Sequence, residues 1–543
     1  MNNNRSLFLA SFMTLIAAGM GFAIRGGILG DWANAFGFTQ SQLGGITGGG
    51  LVGFGLTIIA CSLVADTIGY KSLMVLAFIL HVGSAVVTIA ATPVYAAFGQ
   101  DATYWCLYVG MFMFALANGV CESVINPLVA TLYPKGKTHY LNILHAGWPG
   151  GLIVGALLAY FVVGRDAKFI HLRWEIPICF FLIPTLYYGF VVLKEKFPQS
   201  EAKAAGVSFG QMLLQFASPI LLFLFLLHAM VGYVELGTDS WITNIMNNVI
   251  VGKALLLFIY TSSIMFVLRF FAGPIVERIN PIGLLLISAI TAAVGLFWLS
   301  QPNAGLGIIP IGAAIIAAAT VYALGKTFFW PTMLGVVGER FPKGGALTMG
   351  TIGGIGMLSA GLIGAPAIGY KQDLYATKEL KQTDPAAYER YVAKAPFSTK
   401  LDRFLNEKER AEEKDGEWPA EFGQVEMRVK PSSPIIGLPP VAGLDGSKVE
   451  ALKDKIKNVE DLEAKGEPIP PEDVLTAEEE SDEGPVLAAQ IYGGRMALRL
   501  TAAVPFMMAI GYLILFIYFH MKGGYKPEEL KAVAEKEAEE TGY

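Results

Sequence analysis

The stretch NGVCESVINPLVATLYPKGKTHYLNILHAGWPGG, residues 118–151, decides how the rest of the chain is interpreted. An apolar segment, a short basic loop and a second apolar segment follow one another in it, as expected for two membrane-spanning helices joined by a turn. Glu122 lies within the first apolar segment. A charged side chain at that depth costs roughly 2.5–3.5 kcal/mol of insertion free energy, so Glu122 is expected to face a partner or a water-filled cavity.

The composition is that of a membrane protein. Of the 543 residues 54% are hydrophobic and only 16% are charged. Twelve apolar segments each come close to the ~20 residues that cross ~30 Å of hydrocarbon. The predicted spans are 7–28, 42–64, 72–92, 105–131, 141–163, 174–193, 213–243, 254–276, 281–300, 306–337, 345–369 and 495–520. The sequence therefore predicts an all-α membrane protein with twelve transmembrane helices.

Several classes of function lack their usual motifs. The four cysteines lie in apolar runs without CxxC spacing, and the six histidines show no HExxH pattern, so neither a disulfide framework nor a metal site is indicated. A phosphate-binding loop of the GxxxxGK[ST] type is missing, which argues against an ATP-driven pump. Because no nucleophile–base set stands out either, we expect no enzyme activity, no cofactor, no metal and no nucleic-acid partner.

The chain contains an internal repeat. Three segments of the first half return in order in the second half, and the members of each pair are about 210 residues apart. The pairs are 25–32 with 235–241, 64–69 with 275–280, and 133–136 with 341–344. One short match would be chance, but three at a near-constant shift indicate duplicated halves of about six helices each.

Domain boundaries follow from the spans and the repeat. Lys and Arg in short loops mark the cytoplasmic side. Most Lys and Arg residues of the short loops fall on the side that carries both termini, so both termini are predicted to be cytoplasmic. Four such residues fall on the opposite side: Arg165, Lys168, Arg173 and Lys253. The predicted parts are an N-terminal six-helix bundle (1–195), a central cytoplasmic linker (196–212), helices 7–11 (213–369), an extracytoplasmic insert (370–490), helix 12 (491–522) and a cytoplasmic tail (523–543).

The predicted insert differs from the rest of the chain. It is polar, rich in proline and acidic, and it ends in PPEDVLTAEEESDEGP (470–485). The capping-box pattern Ser447-Lys448-Val449-Glu450 predicts a helix that continues to about Ala464. The rest has too few large apolar residues to build a core and is expected to be partly disordered. It is either a solvated spacer or a segment that acts as a lid or binds a partner.

The loop after helix 2, ADTIGYKS (65–72), resembles the loop G-x-x-x-D-R-x-G-R-[RK] of the major facilitator superfamily. It keeps Asp66, Gly69 and Lys71, with Thr67 and Tyr70 where the family prefers arginine. The resemblance covers all of the chain except 370–490 and the tail. It implies the major facilitator fold of two pseudo-symmetric six-helix bundles, here with a large insert between helices 11 and 12. It also implies a gating loop at Asp66, Gly69 and Lys71.

Within that superfamily the chain is similar to the fucose–galactose–glucose:proton symporter group. Glu122, then Asn126-Pro127, then Leu141-Asn142 match that group's pattern in helices 4 and 5, and Tyr233-Val234…Gly237…Trp241 resembles its helix 7. Helix 1 departs from the group, because it carries AIRGG (23–27) where an Asn/Asp-rich motif with a protonatable Asp is usual. A cation, Arg25, thus replaces the acid.

Four ionisable residues lie in helices 1, 4, 7 and 10, which line the central cavity as the resemblance implies: Arg25, Glu122, Glu235 and Lys326. Polar side chains near tryptophan are what a sugar site needs. The candidate substrate-binding residues are Arg25, Asn118, Asn126, Asn142, His145, Trp241, Lys326 and Trp330, and the candidate proton-coupling residues are Glu122 and Glu235.

Alternatives remain open at several of these residues. Glu122 could be a structural partner of Arg25, and Glu235 and Lys326 a structural pair. His145 could simply hydrogen-bond between helices. Arg269 is expected to be structural, since it lies near the cytoplasmic loop and can snorkel. Trp148 and Trp241 could be ordinary packing residues.

Three functions are compatible with the sequence. The first is a proton-coupled transporter of a small polar solute, most readily a sugar, in the cell membrane. The second is an organic-anion transporter of the same fold, and the third is a receptor or scaffold that acts through the insert. The expected partners are the solute, protons or sodium, and the lipid bilayer, with the protein functional as a monomer.

Overall fold

The computed structural model describes residues 3–38, 43, 45–47, 50–163, 169–170, 172–247, 254–301, 311–392, 441, 443–528 and 530. Parts of some predictions lie outside these residues. They are the starts of spans 2 and 10, the loop residues Arg165, Lys168 and Lys253, residues 393–440 of the insert, and most of the tail beyond 528.

Twelve apolar helices form the body of the protein, as the sequence predicts. Eleven of the described helices are long and apolar enough to cross a membrane, and a twelfth, Ala254–Arg269, is a shorter apolar helix. They are α1 (Asn3–Gly27), α2 (Gly50–Ile68), α3 (Tyr70–Ile89), α4 (Ala91–Leu132), α5 (Lys137–Val162), α6 (Glu175–Lys194), α7 (Pro219–Met246), α8 (Ala254–Arg269), α9 (Ala272–Leu299), α10 (Gly312–Arg340), α11 (Pro342–Thr383) and α12 (Ala477–Met521). The all-α fold class is therefore confirmed.

The backbone repeats at the positions where the sequence repeats. Gly69, between α2 and α3, has φ +89°, and its counterpart Asn280, within α9, has φ +55°. Asn280 is the only non-glycine residue with positive φ in the described chain. Tyr133 and Phe341 end α4 and α10 with φ/ψ of −133°/68° and −129°/49°. The two halves, α1–α6 and α7–α12, thus turn in the same way at equivalent places.

Close helix packing depends on small residues. A Cβ at Gly19 of α1 would lie 2.3 Å from the Trp148 carbonyl oxygen of α5, and a Cβ at Gly151 of α5 would lie 2.3 Å from the Ile16 carbonyl oxygen. Only glycine lets the two backbones approach this closely, as is common where membrane helices associate without a hydrophobic driving force.

The described residues nearest the two chain ends lie on the same side of the bundle. Asn3 Nδ2 donates to the Lys196 carbonyl at the end of α6 (3.1 Å), and Arg340 Nη1, at the end of α10, donates to the Lys526 carbonyl (2.5 Å). We call this the terminal side. The opposite side, towards which α11 and α12 continue into the insert, is the insert side.

The insert is more ordered at its ends than predicted. The spans predicted for helices 11 and 12 were 345–369 and 495–520, but α11 continues to Thr383 and α12 begins at Ala477. Two further helices, Pro385–Tyr391 and Gly446–Lys465, pack against these extensions. The helix predicted from 447 is confirmed. Asp445 directly precedes this helix, and its Oδ1 accepts a hydrogen bond from the Lys448 N–H in the first turn (3.4 Å).

The expectation that the insert cannot build a core is wrong for its described part. A small hydrophobic core joins the four helices, and its fully buried members include Leu380, Val449, Leu452 and Val486. Each helix contributes only one to three apolar side chains. These few side chains are enough to form a core because the apolar faces of all four helices pack together, although the overall composition of the segment is polar.

Candidate functional site

A buried ion pair joins α7 and α8. Arg269 Nη2 lies 2.9 Å from Glu235 Oε1, and the two side chains are only 2% and 5% exposed. Arg269 Nε also donates to the Thr327 carbonyl of α10 (2.8 Å). Sequence reasoning expected Arg269 to be structural and to reach the cytoplasmic surface. Instead, α8 ends at Arg269 and the guanidinium turns inward, where it compensates the charge of the buried Glu235 carboxylate.

Arg269 also connects the two halves. Its Nη1 donates a 2.6 Å hydrogen bond to the His145 carbonyl of α5. The His145 imidazole lies with Nε2 2.9 Å from Asn126 Oδ1 of α4. Asn126 Nδ2 in turn donates to Glu122 Oε2 (2.7 Å). A continuous series of buried contacts therefore leads from Glu122 in the first half to Glu235 in the second.

A second ion pair joins α7 to α10. Lys326 Nζ contacts Asp239 Oδ1, with side-chain exposures of 2% and 15%. Glu235 and Asp239, four residues apart, thus each bind a different cation. The anticipated pair of Glu235 with Lys326 is replaced by Glu235 with Arg269 and Asp239 with Lys326. A cleft beside the Lys326–Asp239 pair is lined by Tyr322 and by apolar side chains of α7, α8 and α10.

The local structure of α7 positions its two carboxylates. Residues Tyr233–Gly237 form one π-helical turn between the α-helical segments Pro219–Gly232 and Thr238–Asn247. Such turns insert an extra residue and occur frequently at functional sites. Glu235 lies within the turn and binds Arg269 of α8. Asp239 lies in the α-helical segment that follows and binds Lys326 of α10.

Other predicted residues surround this centre. Asn142 of α5 donates through Nδ2 to Thr332 Oγ1 of α10 (3.2 Å), and its Oδ1 has no hydrogen-bond partner among the described residues. Trp330 of α10 packs against His228 of α7 with a centroid distance of 4.6 Å. Trp241 lies further towards the insert side, where its Nε1 donates to the Ala365 carbonyl of α11 (2.8 Å).

Two of the predicted residues lie elsewhere. Arg25 is 1% exposed and points into the interior of the first half. There its guanidinium lies over the Phe114 and Phe181 rings (3.9 and 4.7 Å) and donates to Ser84 Oγ (3.3 Å). Asn118 Oδ1 accepts from the His81 imidazole of α3 (2.9 Å). Arg25 forms no ion pair with Glu122 or with any other carboxylate in the described part of the chain.

The predicted gating loop lies on the terminal side. Gly69 takes the left-handed conformation between α2 and α3, which L-residues rarely adopt. Lys71 Nζ donates to the Leu193 and Glu195 carbonyls at the end of α6 (3.0 and 3.1 Å). Asp66, near the end of α2, faces the start of α11, with its Oδ2 3.2 Å from where a Cβ of Gly345 would stand.

The terminal side is closed by bonds from α5 to the second half. Thr138 donates through its N–H (3.1 Å) and Oγ1 (2.6 Å) to Glu339 Oε1 of α10. Lys137 Nζ donates to the Gly338 carbonyl (3.2 Å) and pairs with Glu201 of the linker (2.6 Å). His139 Nδ1 accepts from the Gly273 N–H of α9 (3.0 Å).

Within the described residues, no group of three or more His, Cys, Asp or Glu side chains is arranged to hold a metal ion.

The sequence predictions do not include Arg269 as a site residue and do not consider His228. Arg269, which the sequence analysis interprets as structural, stands in the apolar run LLLFIYTSSIMFVLRFF (255–271), where a buried charge is as much a signal of a functional site as it is at Glu122. His228 lies in the equally apolar run PILLFLFLLHAMVG (219–232) and is completely buried.

Comparison with known proteins agrees with the fold. The family model described as Major Facilitator Superfamily matches residues 8–366. Among solved structures, the fucose:proton symporter FucP of E. coli in its outward conformation is 18% identical, covers 68% of this chain and 92% of its own, and has a TM-score of 0.52. The proton:xylose symporter XylE from E. coli is 15% identical, covers 67% and 87%, and has a TM-score of 0.54.

A bacterial homologue of the human lysosomal transporter Spinster, inward-facing and unoccupied, is 13% identical. That alignment covers 97% of this chain and all of the other, with a TM-score of 0.57. A comparison with curated protein sequences gave no significant match.

Proposed function

Because the chain belongs to the major facilitator superfamily, we propose that it is a secondary active transporter of a small polar solute, a sugar, that works by alternating access with proton coupling. The observation that carries the proposal is the buried series of contacts from Glu122 to Glu235, which crosses from one half to the other. Sugar transport with protons is also what the solved structures of FucP and XylE are named for.

Charge balance at the interface supports proton coupling. The centre holds three carboxylates, Glu122, Glu235 and Asp239, against two cations, Arg269 and Lys326. Glu235 and Asp239 each pair with one cation, whereas Glu122 Oε2 receives a hydrogen bond from the neutral amide of Asn126. An uncompensated buried charge costs several kcal/mol. One proton on Glu122 would make the set neutral, so we assign Glu122 as the proton-binding residue and Glu235 as the carboxylate that responds to it.

The same balance favours a neutral solute over an organic anion. Arg269 and Lys326, the cations that would hold a carboxylate or phosphate, are already bound to acids of their own half. Arg25 lies inside the first half, away from these pairs. The amide of Asn142 and the rings of His228 and Trp330 supply the hydrogen bonds and the aromatic surface that sugars use.

Transport by alternating access requires the closure on the terminal side to open. The bonds of Thr138 with Glu339 and of Arg269 with the His145 carbonyl would break as the halves rock apart. Neutralising Glu122 removes a charge from the interface just before that movement. We place the terminal side in the cytoplasm of a cell membrane, following the Lys and Arg bias of the short loops, and the insert outside it.

Proteoliposomes test the proposal. Uptake of labelled L-fucose, D-glucose and D-xylose is measured with and without an inward proton gradient. Glu122→Gln mimics the protonated state permanently, so we expect it to abolish gradient-driven accumulation while sparing counterflow exchange. The matched control is Glu175→Gln, a half-buried carboxylate at the start of α6 that is bound by Arg173 and Thr92 of the first half and has no contact with the centre, and which should leave both unchanged.

Two results would contradict the proposal. Full accumulation by Glu122→Gln would refute the assignment of Glu122 as the proton-binding residue. Accumulation driven by a sodium gradient alone would show that sodium, and not the proton, is the coupling ion. Uptake of sugar acids in preference to sugars in the same vesicles would favour the organic-anion transporter instead.

A further inference from the structure

Two neighbouring helices of the second half contain π-helical turns. One is Tyr233–Gly237 in α7, and the other is Ala360–Gly364 in α11, where the Ala365 N–H donates to the Ala360 carbonyl five residues back. Such turns interrupt the regular α-helical hydrogen bonding and are a recognised cause of helix bending. Each helix is thereby divided into a segment near the terminal side and an outer segment near the insert side.

The two turns touch each other. A Cβ at Gly364 would lie 3.0 Å from Tyr233 Cα and 3.3 Å from Gly237 Cα, so the backbones meet without an intervening side chain. Since nothing separates the turns, a bend at one of them displaces the other.

A third helix, α12, which carries the insert together with α11, is interrupted at the same level. In α12 the segment Ala477–Thr501 ends at Ala502, and Pro505, which has no N–H to donate, follows in the next turn. Two contacts between α12 and α7 show where this interruption lies along α7. Gly511 faces Leu227 on the terminal side of this point, and Gly494 faces Ile245 on the insert side. Residues 501–505 therefore lie opposite residues 233–237. We call the three interruptions, 233–237, 360–364 and 501–505, the hinge level.

Beyond the hinge level the outer segments are bound to one another. Trp241 Nε1 of the outer α7 segment donates to the Ala365 carbonyl of the outer α11 segment (2.8 Å), and Lys371 Nζ of α11 donates to the hydroxyl of Tyr233, a residue of the hinge level itself (2.8 Å). A Cβ at Gly493 of α12 would stand 2.5 Å from the Gln372 carbonyl oxygen of α11. The hydrophobic core of the insert then joins the ends of α11 and α12.

We propose that the outer segments of α7, α11 and α12 and the two insert helices packed on them, Pro385–Tyr391 and Gly446–Lys465, move as one body about the hinge level, and that this body is the gate of the insert side. The proposal rests on the proposed function, because a gate matters only in a transporter. It gives the insert a role that a solvated spacer lacks.

The hinge level includes the carboxylate that binds Arg269. Glu235 is the middle residue of the α7 turn. A bend there changes the direction in which Glu235 meets the guanidinium. The position of the insert and the strength of the Glu235–Arg269 pair are therefore linked.

Distance measurements between spin labels test the hinge. One label at Asp454, exposed on the insert, and one at Val294, exposed on α9, both belong to the second half. The background variant has its four native cysteines replaced by alanine. Rigid rocking of the halves leaves this distance constant, whereas bending at the hinge level changes it. Glu339→Ala, which releases Thr138 and loosens the terminal side, should shift the distance distribution. Tyr525→Phe, which removes a bond to the same carboxylate, should shift it in the same direction.

Proline substitutions supply a matched pair. Pro505→Ala restores a donor at the hinge level of α12, so we expect the distance shift to shrink. Pro485→Ala makes the same change in the same helix but inside the insert, and should leave the shift intact.

A disulfide tests whether the moving parts form one body. An ideal Cβ at Gly494 lies 3.7 Å from Ile245 Cβ, within the ~3.5–4.5 Å found in disulfides. Oxidising an Ile245→Cys/Gly494→Cys variant should preserve the distance shift, because both residues lie on the outer body. Loss of the shift on oxidation, or one unchanging distance in all variants, would overturn the proposal. These measurements need neither sugar nor a proton gradient, so failure of uptake would refute the proposed function separately.

Discussion

Arg269 Nη1 of the second half donates a 2.6 Å hydrogen bond to the main-chain carbonyl of His145 in the first half. The same guanidinium binds the Glu235 carboxylate and the Thr327 carbonyl. Three acceptors in different helices suit the fixed fork of an arginine and cannot be matched by a lysine. Arg269 is thus at once the partner of a buried acid and a contact that any separation of the halves has to break.

Removing Arg269 should be strongly destabilising. Arg269→Met leaves Glu235 buried without its cation, and breaking a buried pair in this way costs roughly 3–5 kcal/mol. We expect a clear fall in the melting temperature of the purified protein. Arg269→Met combined with Glu235→Gln should recover most of it, because no unpaired charge remains. If the double variant were as unstable as the single one, the ion pair would not be the reason for the loss.

The Lys326–Asp239 pair should show the same pattern on a smaller scale. Asp239 is 15% exposed, against 5% for Glu235, so water can partly replace a lost cation. Lys326→Met should therefore lower the melting temperature less than Arg269→Met does. Asp239→Asn in the Lys326→Met background should restore it. A larger effect at Lys326 than at Arg269 would contradict the ranking by burial.

Much of the fold follows from the sequence because the constraint is simple. Apolar runs of membrane-spanning length predict the twelve helices. The repeated segments predict that Gly69 of the first half corresponds to Asn280 of the second, and Tyr133 to Phe341. Glu122 and Glu235 could be selected as buried because charge in an apolar run is rare.

Partners and irregular turns could not be derived in the same way. Which cation meets which acid depends on helix rotation, and the π-helical turn at 233–237 changes that rotation for the outer part of α7. Arg25 was placed in the cavity because its helix lines one, yet its side chain packs between Phe114 and Phe181 of its own half. The insert core needed the relative placement of four helices, which composition does not contain.

Tyr525 should help to keep the terminal side closed. Its hydroxyl donates to Glu339 Oε2 (2.8 Å), while Oε1 of the same carboxylate accepts from Thr138 of the other half. Tyr525→Phe removes one hydrogen bond, worth about 1 kcal/mol, and should increase the accessibility of Ala130→Cys, a buried position beside Gly338 on the terminal side, to a membrane-impermeant thiol reagent.

The effect of Tyr525 should not depend on pH between 6 and 8. Burial, and then the neighbouring Glu339 carboxylate, raise the pKa of Tyr525 well above its usual range, so the phenol remains a donor there. A raised pKa means that this contribution is complete below the unfolded value of about 10 and is lost only above it. Labelling of the introduced cysteine that changed with pH when Tyr525 is present, but not in the Tyr525→Phe background, would contradict this.

The Arg390–Asp482 pair should hold the insert core together. Asp482 is 1% exposed and is bound by two nitrogens of Arg390, whose pKa is raised by that hydrogen-bonded contact. Arg390→Ala leaves the carboxylate buried and unpaired, so amide hydrogen exchange should accelerate throughout Gly446–Lys465 and the start of α12. Lys453→Ala is the matched control in the same insert, because its partner Glu450 is 67% exposed and such surface pairs contribute little. Equal acceleration in both variants would mean that the insert responds to any lost charge, and that the buried pair has no special part in its stability.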